Sequence, residues 1–443
     1  MKYKIGLIAM LLVILFAGNI NAAPLINVNN IDDNPEIRVG LWSGQSSVII
    51  SADDKFTIVD KYNRKTIGTY EAKTKVVVSV KSGKIYLDNN KCDSNSIEIN
   101  LKNFSEDKTI EVNRKTYRGN IEITNTNGLA VINVVPLEEY LYSIVSGEMP
   151  ASWPGEALKA QAVAARTYAL NEINKHVNEG FNVCATTHCQ VYGGKNVEDV
   201  RAIKAVDDTR GIVMLSAGKL ITAVFHSASG GYTENSEDVW GSYLPYLRAV
   251  PDYDQNSPNY KWDKKLTALE IQQKILAAGY NIGSLQAIEV SPLKNYGKNS
   301  GDRSSAGRIK NISFIGDKNT AVLTGLKARS ILGLNSTLFD ISIVVPADKE
   351  IDVNVGQYSK KTIKVNMPDY KLKGLVTDKD NIRRITGRNG ETVDFSGFGW
   401  GHGLGLSQWG AKQMATTANQ KDNNYFKQIL KHYYQNIEFD KLY

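Results

Sequence analysis

The chain has 443 residues, of which 42% are hydrophobic, so it can form one large domain or two to three modules with buried cores. This composition excludes an intrinsically disordered protein. The formal net charge of +7 favours an anionic environment such as a wall polymer or a membrane surface. No long basic stripe, recognition helix or RNA-binding signature accompanies that charge, so no nucleic acid partner is expected.

The N-terminus has the pattern of an export signal. Lys2 and Lys4 precede an apolar run over residues 5–17, and small residues at 21–24 offer a cleavage site. The run is shorter than the roughly 20 apolar residues of a spanning helix. We therefore expect a signal peptide over residues 1–23, with an uncleaved membrane anchor as the alternative. Either outcome predicts an exported, extracytoplasmic protein.

Short β-branched runs separated by Gly, Asn and Asp follow, and they predict a strand-rich region over residues 36–135. The last two runs flank a turn at 125–128, which is typical of a β-hairpin. After Pro136 the apolar spacing becomes helical and predicts a short helix. A second helix is predicted to start near 152–156 and to reach residue 173; it contains six alanines, which allow close packing.

The remainder of the chain mixes strands, loops and helices. Polar, glycine-rich loops are predicted at 225–233 and 397–406, and the second is too rich in glycine for regular structure. Thr267 and Glu270 form a capping-box pattern. Further elements are predicted as strands within 203–224, strands and loops over 340–395, and helices ending near 278 and covering 326–332, 407–415 and 424–434. The pattern predicts one compact α+β body.

Six motifs in this order resemble those of the stage II sporulation protein D (LytB-type) family of lytic transglycosylases. The motifs are Glu138-Glu139-Tyr140-Leu141 with Ser146-Gly147-Glu148-Met149-Pro150, the segment 156–168, His188-Cys189-Gln190-Val191-Tyr192-Gly193-Gly194, the segment 226–233, Val239-Trp240 with Pro245-Tyr246-Leu247, and the segment 401–411. The resemblance implies a strand-rich α+β body whose few helices line one active-site cleft. It also implies a catalytic region over 128–443 that includes the segment 340–395.

The resemblance implies cleavage of the bond between N-acetylmuramic acid (MurNAc) and N-acetylglucosamine (GlcNAc) in peptidoglycan strands. The product would carry a 1,6-anhydroMurNAc end. One carboxyl group can protonate the leaving oxygen and then accept the proton of the sugar's own 6-hydroxyl, whereas a hydrolase normally uses two carboxyl groups. Glu148 holds the position of the acid. Lys159 and Arg166 resemble positions that support the acid or grip the sugar, although by themselves such residues are more often helix-surface cations.

A second group of chemically competent residues consists of His176, Cys184, His188 and Cys189. Two thiolates and two imidazoles suit a tetrahedral Zn²⁺ ion, and some members of the resembled family carry such a site in this segment. His176 is the least secure of the four ligands. A disulfide between Cys184 and Cys189, or one that includes Cys92, is the alternative in an exported protein. With four protein ligands the metal would be structural, and the bond cleavage itself would need no cofactor.

Substrate contacts are assigned by resemblance only. The residues expected to bind or position the glycan strand are Gln161, His226, Ser227, Tyr232, His402 and Gln408. Aromatic faces suit the apolar surfaces of sugar rings, so Trp240, Trp400 and Trp409 could stack on the substrate, although core packing is the ordinary role of a tryptophan.

Two other functions remain open at this point. The chain could be a wall-binding enhancer of an N-acetylmuramoyl-L-alanine amidase that cleaves nothing itself, or a muramidase that uses water. The resemblance further implies glycan strands stripped of stem peptides as the substrate, an amidase as a partner, and a role in cell-wall remodelling during sporulation.

Overall fold

A computed structural model describes residues 34–102, 107–293, 300–345, 350–354, 360–364, 370–372, 381–418 and 422–443. The expected signal peptide over residues 1–23 lies outside the described residues, as does part of the segment 340–395.

The N-terminal third consists of strands, as the short β-branched runs predicted. Strands β1 to β12 cover Glu36–Gln45, Ser47–Ala52, Phe56–Asp60, Thr66–Tyr70, Val76–Lys81, Lys84–Leu87, Asn90–Lys91, Ser96–Leu101, Ile110–Val112, Lys115–Tyr117, Asn120–Asn125 and Leu129–Pro136. The predicted hairpin is present, because β11 pairs with β12 in antiparallel register from Asn125 opposite Leu129.

The described residues form eight α-helices. Helices α1 to α8 cover Leu137–Glu148, Gly155–Asn171, Val200–Asp207, Ser236–Trp240, Ala268–Ala277, Gly325–Leu332, Gln408–Thr417 and Tyr425–Tyr433. The capping box that was predicted before α5 is formed, since Thr267 accepts from the Glu270 amide and the Glu270 carboxylate accepts from the Thr267 amide.

The remaining strands lie between and after these helices. Strands β13 to β28 cover Val183–Cys184, Ile212–Ser216, Lys219–Leu220, Phe225–His226, Lys261–Leu266, Leu285–Glu289, Asn311–Gly316, Thr320–Thr324, Phe339–Val345, Glu350–Asn354, Lys360–Lys364, Tyr370–Leu372, Ile382–Arg384, Thr392–Phe398, Leu406–Ser407 and Glu438–Lys441.

The strands form two large sheets and several smaller ones. The order in the first sheet is β13-β1-β12-β11-β8-β3-β4, and in the second it is β10-β9-β2-β5-β6-β7. Later in the chain, two four-stranded sheets have the orders β17-β26-β21-β24 and β20-β19-β18-β25. The chain is therefore a compact α+β body, as the sequence predicted.

The hydrophobic interior is divided between two clusters. The first core joins the two large sheets to α1, α2, α3, α7 and α8. The second core lies between residues 262 and 395 and is built from α5, α6 and the two four-stranded sheets. The sequence did not predict this division, because strand and helix spacing indicates which face is apolar but not which other element covers it.

Two helices were not predicted. The segment that begins at residue 203 was expected to be extended, yet α3 reaches Asp207. The helix has only eight residues, and its β-branched residues also suit a strand. A start signal was nevertheless present, since the Asp199 side chain accepts from the Arg201 amide at 2.9 Å. The second unpredicted helix, α4, has five residues, which is too short for a periodic signal.

Within the described part of the chain, no helix has both the length and the apolar character that a membrane crossing requires.

Candidate active site

A cleft of about 660 Å³ lies where the C-terminal end of α1 meets several loop segments. Glu148 at the end of α1 faces residues 187–191, the segment 222–227 and the segment 400–402 across this cleft. Trp240 from α4, Arg329 from α6 and Gln408 from α7 complete much of the wall. Parts of the chain that are up to 260 residues apart therefore meet around one carboxyl group.

Glu148 is half-buried, and both of its carboxyl oxygens face hydrogen-bond donors. The Val191 amide donates to Oε1 at 3.2 Å, and Gln408 Nε2 donates to Oε2 at 3.4 Å. Burial raises the pKa of Glu148 above its ordinary value of 4.5, and the two donors only partly oppose this effect. Burial thus favours the protonated form, which is the form a general acid needs.

Gln408 is held in place by its own helix. Ser407 caps α7 by accepting from the Gly410 amide, so Gln408 is the first helical residue and its side chain is aimed at the end of α1. Its Nε2 also lies 3.5 Å from Gln161 Oε1, and Gln161 is fully buried on α2. Gln161, which was expected to contact substrate, therefore lies behind Gln408 and orients it.

The two glycine-rich loops lie side by side. A short parallel pairing places Phe225 opposite Leu406 and His226 opposite Ser407. Gly401 has a φ of +120°, and a Cβ added there would lie 2.6 Å from His226 Cβ. Glycine is therefore required at residue 401, because any side chain would force the two loops apart. Residues 399–405 lie outside the strands, as predicted, but residues 397 and 398 belong to β26 and residue 406 belongs to β27.

The two histidines of these loops are adjacent, and their surroundings lower the pKa of both. Their ring centroids are 5.4 Å apart. Burial lowers the pKa of His226 well below 6.5, and nearby His402 and Arg308 add to the effect. Burial and the cations Arg308 and Arg329 lower the pKa of His402 to about 4. Neither imidazole is expected to carry a charge at neutral pH.

The hydrogen bond that His226 makes indicates which of its ring nitrogens carries the proton. His226 Nδ1 donates to the Leu404 carbonyl at 3.0 Å, so its Nε2 is an acceptor. This Nε2 is buried in the wall of the cleft and has no hydrogen-bond partner among the described residues. It is suited to accept a hydrogen bond from a hydroxyl or amide of a bound ligand.

Two of the three tryptophans that could stack on a sugar lie in the cleft. Trp240 is 42% exposed and Trp400 is 45% exposed, and both line the cleft beside His402. Trp409 instead packs against Trp153, with ring centroids 4.9 Å apart, and is not among the described residues that line the cleft. Two large aromatic faces are thus available to a ligand.

The structure does not bring Lys159 and Arg166 into the cleft. Lys159 lies in a separate groove beside α3, where its ammonium group donates to Glu156 at 2.9 Å and to the Asn423 carbonyl at 3.2 Å. Arg166 is completely buried and forms a double ion pair with Glu138 at 2.7 and 2.6 Å. Both cations are occupied by protein partners, so the positions that the resemblance gave them beside the acid are corrected.

Of the two remaining expected substrate contacts, Ser227 lies in the cleft and Tyr232 does not. Ser227 lines the cleft, and its carbonyl accepts from the Trp409 amide at 3.0 Å. Tyr232 is 38% exposed and pairs with Pro251 through an isolated bridge. It lies outside the described lining of the cleft, because the chain turns away after the bonds that Asp254 accepts from the amides of Gly230 and Gly231.

His176, Cys184, His188 and Cys189 form one cluster next to the cleft. Their ligand atoms all lie within 4.8 Å of one another. Cys189 Sγ is 3.4 Å from His176 Nε2 and 3.7 Å from His188 Nδ1, and Cys184 Sγ is also 3.7 Å from His188 Nδ1. Tetrahedral bonds of about 2.0–2.3 Å to zinc require ligand separations of roughly 3.3–3.8 Å. The donor set and these three separations therefore fit a tetrahedral metal ion.

Surrounding groups support metal binding by this cluster. The Glu179 carboxylate accepts from His176 Nδ1 at 2.6 Å, and His176 Nε2 lies 3.4 Å from Cys189 Sγ on the side of the cluster. Cys184 and Cys189 are not joined by a disulfide, and Cys92 is buried elsewhere in the first core. Since His188 and Cys189 directly precede the segment that gives Glu148 its amide donor, a metal here would fix that segment.

Several residues of the cleft were not expected from the sequence. Val191 acts through its backbone amide, which no side-chain pattern can reveal. Glu172 and Lys175 follow α2 and line the cleft, and Arg329 reaches it from the second core. Of these residues, only Val191 could have been suspected from the sequence, because it lies two residues after Cys189 in one of the six motifs.

Comparison with known proteins agrees with this arrangement. The sequence profile described as Stage II sporulation protein matches residues 125–215, which contain α1, α2 and the His/Cys cluster. Stage II sporulation protein D of Bacillus subtilis (strain 168) is 32% identical over 337 residues, covering 72% of this chain and 79% of the relative. The chain belongs to the stage II sporulation protein D family.

Two other proteins show a similar degree of identity to the chain. Stage II sporulation protein D of Bacillus amyloliquefaciens is 29% identical over 355 residues, covering 76% of this chain and 83% of the relative. A protein named Amidase enhancer from Bacillus subtilis (strain 168) is 31% identical over 405 residues, or 88% of this chain. The chain spans about half, 52%, of the length of that relative.

Proposed function

We propose that the protein is a lytic transglycosylase that cleaves the MurNAc–GlcNAc bond of peptidoglycan strands and leaves 1,6-anhydroMurNAc ends. The observation that carries this proposal is the state of Glu148. Its carboxyl group lines the cleft, and burial raises its pKa. A carboxyl group in this state can serve as both acid and base in one bond cleavage.

The proposed reaction needs one proton donor and no water. Glu148 donates its proton to the glycosidic oxygen as the bond from that oxygen to MurNAc C1 breaks. The resulting carboxylate accepts the proton of the MurNAc 6-hydroxyl as O6 bonds to C1. The Val191 amide and Gln408 Nε2 stabilise the carboxylate between the two steps.

The walls of the cleft suit an N-acetylated sugar chain. Trp240 and Trp400 offer aromatic faces to the apolar sides of sugar rings. The buried Nε2 of His226 can accept from a sugar hydroxyl or from the N–H of an acetamido group. Because His226 and His402 are neutral, they contribute polar contacts without adding charge beside the acid.

Product analysis tests the reaction. Purified protein incubated with glycan strands is expected to release 1,6-anhydro ends, which mass spectrometry separates from reducing ends by the mass of one water. Glu172 also lines the cleft and is the second carboxyl group that a hydrolase would require. The variant Glu172→Gln is therefore expected to keep forming anhydro ends. Reducing ends that disappear in this variant would instead identify a muramidase.

A second candidate function rests on the name of one relative. The similar protein named Amidase enhancer suggests that this chain could stimulate an amidase partner. If the chain cleaves no strand but accelerates the release of stem peptides by an N-acetylmuramoyl-L-alanine amidase, this candidate replaces the transglycosylase.

The proposed substrate determines the proposed location. Peptidoglycan lies outside the cytoplasm, so we propose that the expected signal over residues 1–23 directs export of the protein. The signal is then either cleaved or retained as a membrane anchor. Membership of the stage II sporulation protein D family favours a role in wall remodelling during sporulation.

We further propose that His176, Cys184, His188 and Cys189 bind one structural Zn²⁺ ion. Four protein ligands leave no position for water, so the metal would hold the loop rather than activate a nucleophile. By holding residues 188 and 189, it would keep the Val191 amide against Glu148.

Metal analysis with matched cysteine variants tests the zinc site. The full chain is expected to contain about one zinc ion, and Cys189→Ser is expected to lose it and to lower the unfolding midpoint by about 5 °C or more. Cys92→Ser is the control, because Cys92 is buried in the first core away from the cluster and its loss should leave the metal content unchanged. A Cys184–Cys189 disulfide found by mass spectrometry, or unchanged zinc in Cys189→Ser, would contradict the assignment.

A further inference from the structure

One cation of the cleft comes from the second core. Arg329 lies in the last turn of α6 and lines the cleft together with Trp240, Trp400 and His402. Helix α6 starts at the Thr324 cap and ends at Gly333, which has a φ of +66°. The chain then returns towards the glycine-rich loop, where the Gly401 amide donates to the Asn335 carbonyl at 3.0 Å. This contact attaches the segment after α6 to the cleft.

The orientation of the Arg329 side chain is fixed from one side only. Its Nε donates to the carbonyls of Leu334 at 3.3 Å and Asn335 at 3.1 Å. These bonds hold the guanidinium plane against the segment that follows α6. The two terminal nitrogens have no acceptor among the described residues, so they remain available to a ligand.

Arg329 also lacks a carboxylate partner within the described chain. It is half-buried, and burial lowers its pKa with no acidic group to oppose the effect. Lys175, another cation of the cleft, differs because its ammonium group donates to the Tyr168 hydroxyl at 3.1 Å and to the His188 carbonyl at 3.0 Å. A half-buried guanidinium without an anion is costly, and a bound anion would remove that cost.

The proposed glycan substrate offers one anion in a suitable place. This step rests on the proposed function. GlcNAc carries no charge, but MurNAc bears a lactyl ether that ends in a carboxyl group. That group is a carboxylate where the stem peptide has been removed and a neutral amide where the peptide is attached. The planar pair of N–H donors on a guanidinium matches the two oxygens of a carboxylate.

We propose that Arg329 binds the free lactyl carboxylate of MurNAc and so determines the specificity of the cleft for strands without stem peptides. The residue is supplied by the second core, whereas Glu148 is supplied by the first. The second core thereby contributes recognition to a cleft whose acid lies on α1.

Binding and cleavage by the full chain test this inference. Three ligands are compared: stripped strands, the same strands with their lactyl carboxyl groups converted to methylamides, and strands with intact stem peptides. Binding is measured in a Glu148→Gln background so that strands stay whole. Arg329→Gln is expected to weaken binding of stripped strands about 10- to 100-fold and to leave the methylamide strands unchanged. Arg329→Lys keeps the charge without the paired donors and is expected to be intermediate.

A matched control excludes a general effect of losing an arginine. Arg384 is an exposed residue on β25, a strand of one of the sheets that build the second core. The variant Arg384→Gln should bind all three ligands normally. Thermal unfolding verifies that each variant is folded. Equal weakening of all three ligands by Arg329→Gln would overturn the inference. Tight, Arg329-dependent binding of peptide-bearing strands would also overturn it, since the carboxylate would then belong to the peptide.

Measuring cleavage of the same three ligands separates this inference from the proposed function. Anhydro ends formed with no preference for the carboxylate would overturn the role of Arg329 and leave the transglycosylase proposal intact. Arg329-dependent binding without any cleavage would support the carboxylate contact and remove the transglycosylase.

Discussion

Glu148→Gln is expected to lower the rate of anhydro-end formation by about 100- to 10,000-fold, the usual contribution of a general acid or base. Glutamine keeps the size of the side chain but cannot donate and recover a proton. The rate is measured by mass spectrometry of strand ends, with unfolding midpoints to verify the fold. Full activity in Glu148→Gln would remove the acid assignment and direct attention to Glu172.

We also predict the direction in which Glu148→Gln changes the stability of the protein. Burial raises the folded-state pKa of Glu148 above 4.5, so ionisation of the buried carboxyl group costs stability as the pH rises through that pKa. Glutamine cannot ionise, and the variant is therefore expected to be at least as stable as the parent at neutral pH. A loss of activity together with a loss of stability would point to misfolding instead.

The dependence of the cleavage rate on pH should also reflect the raised pKa of Glu148. Only the protonated carboxyl group can donate, so cleavage is expected to decline as the pH rises through the pKa of Glu148. The Gln408 side chain lowers that pKa by donating to the carboxylate. Gln408→Met is accordingly expected to move the declining limb to higher pH. Gln161 is its buried neighbour, so folding of the variant needs separate verification.

Arg166→Ala is expected to destabilise the protein by about 3–5 kcal/mol, because it leaves Glu138 as an unpaired charge in the interior. Both side chains are essentially inaccessible, and Arg166 also donates to the carbonyls of Ile212 and Val206. Glu138 accepts further from the Tyr443 hydroxyl at 2.5 Å, which ties the C-terminus to this pair. Denaturant unfolding measures the loss.

A double variant separates folding from chemistry. Glu138→Met with Arg166→Met removes both charges while keeping much of the volume, and buried pairs replaced in this way often retain stability. Cleavage by the folded double variant would assign Arg166 to the interior of the protein alone. Loss of cleavage in a folded double variant whose metal content matches that of the parent would return Arg166 to the reaction.

Elements with strong local signals were predictable. The alanine-rich α2 and the hairpin before α1 follow from spacing and turn residues, which act between near neighbours in the chain. The shorter α3 was missed, although Ala202, Ala205 and Val206 are its buried positions and lie at helical spacing. Eight residues hold too few repeats for the period to outweigh β-branched residues.

The sequence by itself determined the family resemblance, the compact α+β class and the grouping of His176, Cys184, His188 and Cys189. These follow from residue types and short spacings, whereas the proposal of Glu148 as the acid came from the resemblance. Only the tertiary structure decided that Arg166 is paired with Glu138, that Lys159 is paired with Glu156 outside the described lining of the cleft, and that Arg329 lines the cleft. Burial and charge pairing join residues tens to hundreds of positions apart, and these long-range contacts decide whether a polar side chain serves the interior or a ligand.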